Sequence, residues 1–181
     1  MSRTMSRTGT VLAAILLSGA ATLLPGLAKA QCVPAAFGAG WLAAQEAAGG
    51  HTIARHVNQP LAQMINRIFN AGVPAVGSYP TVAGAQATIT AALAANAAAI
   101  NGWRATGGVG GGPVNVGTTR AFDYANAANI GTVVYTVGNP PNAIGWGQTC
   151  AFRVVLRATG GNNCLLLTSF PRPATPEDHC P

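Results

Sequence analysis

The stretch RVVLRATGGNNCLLLTSFP, Arg153–Pro171, decides the fold class. Arg153, Val155 and Arg157 alternate with Val154 and Leu156, which is a strand period that places two arginines on one face. Thr159-Gly160-Gly161-Asn162-Asn163 supplies turn chemistry, and Cys164 to Phe170 is a second strand candidate. Two strands joined so tightly form an antiparallel hairpin. Working back from it, the upstream strand extends over Thr149 to Arg157. Thr132 to Val137 and Arg120 to Tyr124 are two further strands, with Asn139-Pro140-Pro141-Asn142 as a loop. After the hairpin, Pro171, Pro173 and Pro176 end regular structure, leaving a tail to Pro181 that Cys180 ties down.

Before Gly107–Pro113 the period is helical. That glycine-rich break lacks the Lys-Ser/Thr and following helix of a phosphate-binding P-loop, so it reads as a linker. Val82 to Trp103 is the longest helical pattern, with Val82, Ile89, Leu93, Ile100 and Trp103 among many alanines. Leu61, Met64, Ile65, Ile68 and Phe69 form an amphipathic helix that Ala71-Gly72-Val73-Pro74 ends. Phe37 to Ala48 is a short helix closed by Gly49-Gly50, and Thr52 to His56 reads as one more helical turn. Helices first and an antiparallel sheet afterwards make an α+β domain, without visible internal repeats.

The sequence has 181 residues and a formal charge of +6. Arg3 and Arg7, the apolar run Val11–Leu27 and the site Ala28-Lys29-Ala30 mark residues 1–30 as a cleaved signal peptide. The predicted product is secreted or periplasmic, with no stable membrane association after cleavage. It keeps seven arginines and four acids, a formal +3, and no lysine. Arginine suits bidentate phosphate contact and stacking on bases, but so small a charge supports steering and not tight non-specific binding. Residues 31–48 read as a lead-in and 49–181 as one domain. Cys32, Cys150, Cys164 and Cys180 make two disulfides in an oxidising compartment. Their spacings of 118, 14 and 16 contain no C-x-x-C, which argues against zinc. Three pairings are open; Cys150 with Cys164 is disfavoured because the two flank the hairpin out of register.

Chemistry concentrates in GGHTIARHV, Gly49–Val57, which holds two of the three histidines. On a helix His51 and His56 diverge by about 140°, whereas Thr52 and His56 share a face. That spacing is not an i, i+4 zinc pair, and the four acids form no metal cluster, so neither metal nor cofactor is expected. No G-x-S-x-G nucleophile elbow occurs. Arg67 lies at the edge of the apolar stripe beside Met64, and His179 sits solvated in the Pro-rich tail.

GGHTIARHV, then Arg67 eleven residues beyond His56, then YPTVAGAQATITAALAANAAAINGW, and finally RVVLRATGGNNCLLLTSFP together resemble the bacterial RNase A-like toxin domains. These stand at the C-termini of contact-dependent growth-inhibition proteins and other polymorphic toxins. The resemblance spans Gly49 to Pro171; its specific parts are the His-containing opening and the closing Leu-Thr-x-aromatic-Pro strand. It implies a kidney-shaped α+β fold and a secreted, metal-independent endoribonuclease, an antibacterial toxin that cleaves RNA by 2′-hydroxyl attack. An RNA substrate and a cognate immunity protein are the partners implied. Family members use a histidine, an arginine on the next helix, and a threonine and a tyrosine on the last strand. Carried over, these are His56, Arg67 and Thr168, with Phe170 standing where the tyrosine belongs. The disulfides are an addition to the better-known domains of this type.

In such a site His56 is the base, Arg67 the phosphate clamp and Thr168 a hydroxyl donor, with His51 the candidate for the general acid. Phe170 shares a face with Thr168 and offers a base a stacking surface, and Arg153 is a further substrate-binding candidate. Two other classes compete. One is a catalytically weakened relative that binds RNA or protein, for which Phe170 is the reason. The other is a disulfide-stapled envelope protein, against which the clustered histidines count.

Overall fold

In a computed structural model, described over residues 31–138 and 143–181, two three-stranded antiparallel sheets approach each other through their edge strands, with five helices packed around them. The helices are α1 (Trp41–Ala47), α2 (Thr52–His56), α3 (Leu61–Ala71), α4 (Val82–Ala95) and α5 (Ala97–Thr106). The strands are β1 (Ala75–Ser78), β2 (Thr119–Ala125), β3 (Gly131–Val137), β4 (Ala143–Thr149), β5 (Ala151–Ala158) and β6 (Cys164–Pro171). One sheet runs β1-β3-β4 and the other β2-β5-β6. The α+β class and the two disulfides are as expected from sequence. The signal peptide expected over residues 1–30 and the loop expected at 139–142 lie outside the described residues.

The β5–β6 hairpin pairs Arg153 with Phe170 and Val155 with Thr168, then slips at a bulge between Val155 and Leu156. Directly paired residues share a face. One face therefore carries Arg153, Val155, Thr168 and Phe170. The other buries Phe152, Val154, Leu156 and Leu166 against Ile89 and Leu93 of α4 and Ile100 and Trp103 of α5. A second cluster forms where α3 lays Met64 and Ile68 on Val76 and Val134 of the first sheet. The sheets touch at Gly77: a Cβ there would run into the Pro171 carbonyl at the end of β6, so only glycine permits the approach.

Cys32 is bonded to Cys164 and Cys150 to Cys180, across sequence separations of 132 and 30. The first ties the start of the described chain to the start of β6. Val33 and Leu42 are buried in the main core, so segment 31–48 is packed with the rest.

Three elements differ from the sequence expectation. The long helix is two, α4 and α5, bent by 68° at Asn96. Asn96 turns its Nδ2 back onto the Ala92 carbonyl at 2.8 Å, the side-chain competition with the backbone that breaks helices at asparagine. Among the described residues there are six strands where four were expected. β1 is only four residues with Gly77 inside it, and β4 carries Gly145 and Gly147, so neither displays a clean alternation. The strand expected from Thr149 begins at Ala151, because the chain crosses between sheets at Cys150. There the Thr149 hydroxyl donates to the Arg172 carbonyl and the Cys150 amide points at the Cys180 sulfur, leaving the ladder.

Candidate active site

α2 is too short to hold its own shape and is clamped at both ends. At its start the Glu46 carboxylate, from the end of α1, accepts from the Ile53 and Ala54 amides at 2.9 Å each. It serves two of the amides that a helix start leaves without partners, as a capping side chain would, and with the right charge for the helix dipole. Along its side α2 covers the free edge of β6. The His51 amide donates to the Leu167 carbonyl, and the Ser169 amide donates to the Thr52 hydroxyl, both at 2.9 Å. Gln45 accepts from the Leu166 amide on the same edge. At its end the Tyr79 amide donates to the His56 carbonyl at 2.8 Å. The histidine segment thus spans β6 and the end of β1.

His56 is 7% exposed. Its Nδ1 lies 3.0 Å from the Gly77 carbonyl oxygen, which can only accept, so Nδ1 carries the proton and Nε2 keeps a lone pair. The imidazole packs on the Phe170 ring, with centroids 5.1 Å apart and planes 33° apart. Burial lowers its pKa to about 4, the Arg67, His51 and Arg55 charges push the same way, and the Gly77 bond opposes them. At neutral pH it is an uncharged base.

Arg67, on α3, donates from Nη1 to the Arg55 carbonyl at 2.8 Å, binding α3 to the last turn of α2. Its own pKa is lowered, first by burial and then by Arg55. Thr168 is buried, and its Oγ1 has no hydrogen-bond partner among the described residues. Leaving a buried hydroxyl unpaired costs roughly 1–3 kcal/mol, which marks this atom as one awaiting a partner. His51 is the residue at which α2 begins, five positions before His56 at its end. Burial and Arg55 lower its pKa, with Glu46 opposing.

Arg153 stands directly opposite Phe170, but its guanidinium is held bidentately by Asp123 at 2.7 Å through Nε and Nη2. Asp123 also takes Arg172, which in turn grips Asp178. Of the sequence candidates, the fold gathers His56, Arg67, His51, Thr168 and Phe170 around α2 and β6, with Arg153 one strand away and already neutralised. Sequence reading did not single out Glu46, Gly77 or Tyr79. Ser169 donates to the Arg153 carbonyl, so the Tyr79 phenol must donate to Ser169 at 2.8 Å. Burial raises the Tyr79 pKa, and its hydroxyl is fully occupied on the inner side of β6. It does not replace the hydroxyl that Phe170 lacks.

A family model for the bacterial CdiA-CT RNase A domain matches residues 50–171. The chain belongs to this family. The matched span opens at the glycine before His51 and closes at the last residue of β6, so it encloses His51, His56, Arg67, Thr168 and Phe170, while Gln45 and Glu46, which brace α2 and β6, precede it. The crystal structure of a CdiA-CT/CdiI complex from Y. kristensenii is similar at a TM-score of 0.54 and 22% identity, covering 68% of this chain and 100% of that one. That likeness shows a shared CdiA-CT fold. Among curated proteins, none matches the sequence. Family membership makes the chain an RNase A-like bacterial toxin domain.

Proposed function

We propose that this protein is a secreted, metal-independent endoribonuclease acting as an antibacterial toxin, with residues 1–30 removed on export and 49–181 as the catalytic unit. The observation that carries the reading is the buried, neutral His56, held by Gly77 in the tautomer that frees Nε2. In the proposed reaction Nε2 takes the proton of an RNA 2′-hydroxyl. The 2′-oxygen attacks phosphorus, and the bond from phosphorus to the 5′-oxygen breaks, leaving a 2′,3′-cyclic phosphate and a 5′-hydroxyl. Arg67 binds a non-bridging oxygen, and the unpaired Thr168 hydroxyl donates to another as charge develops there. His51 is the candidate acid that protonates the leaving oxygen. Burial and Arg55 lower its pKa, so its acid form is lost at a lower pH than that of an ordinary imidazole. Phe170 stacks beneath the substrate or under His56 itself. Such a toxin implies an immunity protein in the producing cell. The chain's CdiA-CT relative was crystallised in complex with CdiI, which supports that partner.

The test incubates disulfide-intact Gln31–Pro181 and its His56→Ala variant with total RNA in EDTA. Cleavage by the parent alone, with a matched DNA strand left intact, supports the reading. Equal cleavage by both would refute the assignment of the base. The absence of the family tyrosine favours a second reading, a weakened relative that binds RNA without cutting it. Inactivity of the parent with cleavage restored by Phe170→Tyr would establish that one.

A further inference from the structure

Beside Asn58 and Gln59, which follow α2, lies a cleft of about 280 Å³ between α3 and the β1-β3-β4 sheet. Its lining combines apolar side chains, Leu61 and Met64 of α3 with Pro80 and Ile130, and amide and hydroxyl side chains, Asn58, Gln59, Thr132 and Gln148. No charged side chain lines it among the described residues. An anion finds no countercharge there, whereas a flat, neutral ring with hydrogen-bonding edges finds both apolar and hydrogen-bonding lining. Asparagine and glutamine amides, each with a donor and an acceptor, match the edges of bases.

Several of these polar groups keep unused capacity. Gln59 donates from Nε2 to the Ala54 and Val57 carbonyls, which fixes its side chain and leaves Oε1 as an acceptor. Gln148 donates to the Thr132 hydroxyl at 3.1 Å and keeps Oε1 and one N–H. The Asn58 backbone N–H donates to the Tyr79 carbonyl at 2.8 Å, its side-chain amide makes no hydrogen bond among the described residues, and the residue is held at φ 52°, in the left-handed region. Trp146 sits two residues along β4 from Gln148. The pairings Trp146–Val134 and Gln148–Thr132 put both on one face. Trp146 is 63% exposed, an unusual position for an indole unless something stacks on it.

The cleft also has a fixed relation to the chemistry. Asn58 is two residues beyond His56, and Ser78 adjoins the glycine whose carbonyl orients His56. We propose that this cleft is a nucleobase-recognition subsite: amides of Asn58 and Gln148 read the edge of a base adjoining the scissile phosphate, and Trp146 stacks on it or its neighbour. The proposal rests on the ribonuclease reading for its substrate. Binding in the cleft can nevertheless be measured without turnover.

Titrating the disulfide-intact protein with each of the four nucleoside 3′-monophosphates, and following the side-chain amide signals of Asn58 and Gln148 by NMR, tests it. Saturable shifts with at least a tenfold preference among the four bases are expected. Asn58→Gly, which suits the positive φ, and Gln148→Ala should each flatten that preference while the rest of the spectrum is kept. Equal shifts from all four nucleotides, or none, would overturn the subsite and leave the cleft as a protein-facing surface. On dinucleotide substrates the same variants should reduce the ratio of kcat/KM between best and worst base about tenfold. Selective binding by a protein that cuts no RNA would keep the subsite and sink the ribonuclease. Cleavage whose base preference ignores both substitutions would do the reverse.

Discussion

The Gly77 carbonyl oxygen accepts from His56 Nδ1 at 3.0 Å, and this bond alone decides which ring nitrogen is basic. Gly77 also sits where the two sheets touch. The tautomer is therefore set by the same contact that closes the fold. In His56→Ala, cleavage of an RNA substrate should fall by about 10²–10⁴ in kcat/KM, the usual worth of a positioned base. Circular dichroism should stay unchanged. A smaller loss, below tenfold, would remove His56 from the reaction.

The depressed pKa of His56 has a pH signature. Folded, the group titrates at about 4, and unfolded near 6.5, so between those values the unfolded chain binds more protons. Its contribution to stability is complete above pH 6.5 and is lost as pH falls toward 4, about 3 kcal/mol in all. Urea unfolding at pH 7 and pH 4.5 should show a large drop for the parent and a distinctly smaller one for His56→Gln. By the same sign, the base limb of kcat/KM should extend well below pH 6.5. A limb centred at 6.5 or above would mean that His56 is more solvated than it stands here.

Thr168→Val separates a site hydroxyl from a structural one. The two side chains have nearly the same shape, and the hydroxyl has no partner to lose. Stability should hold or rise by up to about 1 kcal/mol while kcat/KM drops at least tenfold. A variant that loses stability and keeps activity would show that the hydroxyl serves the fold.

Glu46→Gln should weaken α2 by about 1 kcal/mol through its cap, read as faster exchange of the Ile53 and Ala54 amides. It should also lower the His51 pKa further, since the carboxylate is what raises it. A His51 titration curve that does not move would separate the two residues electrostatically.

The two disulfides should differ in weight. In the chain-entropy picture the 132-residue separation of Cys32–Cys164 is worth roughly 1 kcal/mol more than the 30-residue one of Cys150–Cys180. Thermal unfolding of Cys32→Ser/Cys164→Ser and of Cys150→Ser/Cys180→Ser should rank in that order.

The sequence displayed β5, β6 and α3 because each shows an unbroken period with a burial gradient to match: alternation along Arg153–Arg157, and a 3.6-residue stripe from Leu61 to Phe69. It hid β1 and β4 because glycine at positions 77, 145 and 147 replaces the side chains that would have shown a period. Those glycines answer to neighbours distant in sequence. Gly77 admits Pro171, and Gly145 lies under the Tyr135 ring. The candidate site divides the same way. His56, Arg67 and Thr168 were legible as side-chain types at telling spacings. The partner that fixes the His56 tautomer is a backbone carbonyl, and the brace on α2 is an ordinary surface glutamate. No residue-type signal marks either role.

The Cys32–Cys164 bridge has a mechanical consequence. Force applied between the two ends of the described chain passes from residue 32 straight across to 164, and then along the short path to 180. Helices α1 to α5 and strands β1 to β5 lie off that line. β6 and the tail bear load on that path, and Cys150–Cys180 adds a second route that runs back through β5. Force between those ends therefore cannot fully extend α1 to α5 or β1 to β4 until a reductant has first cut the staples.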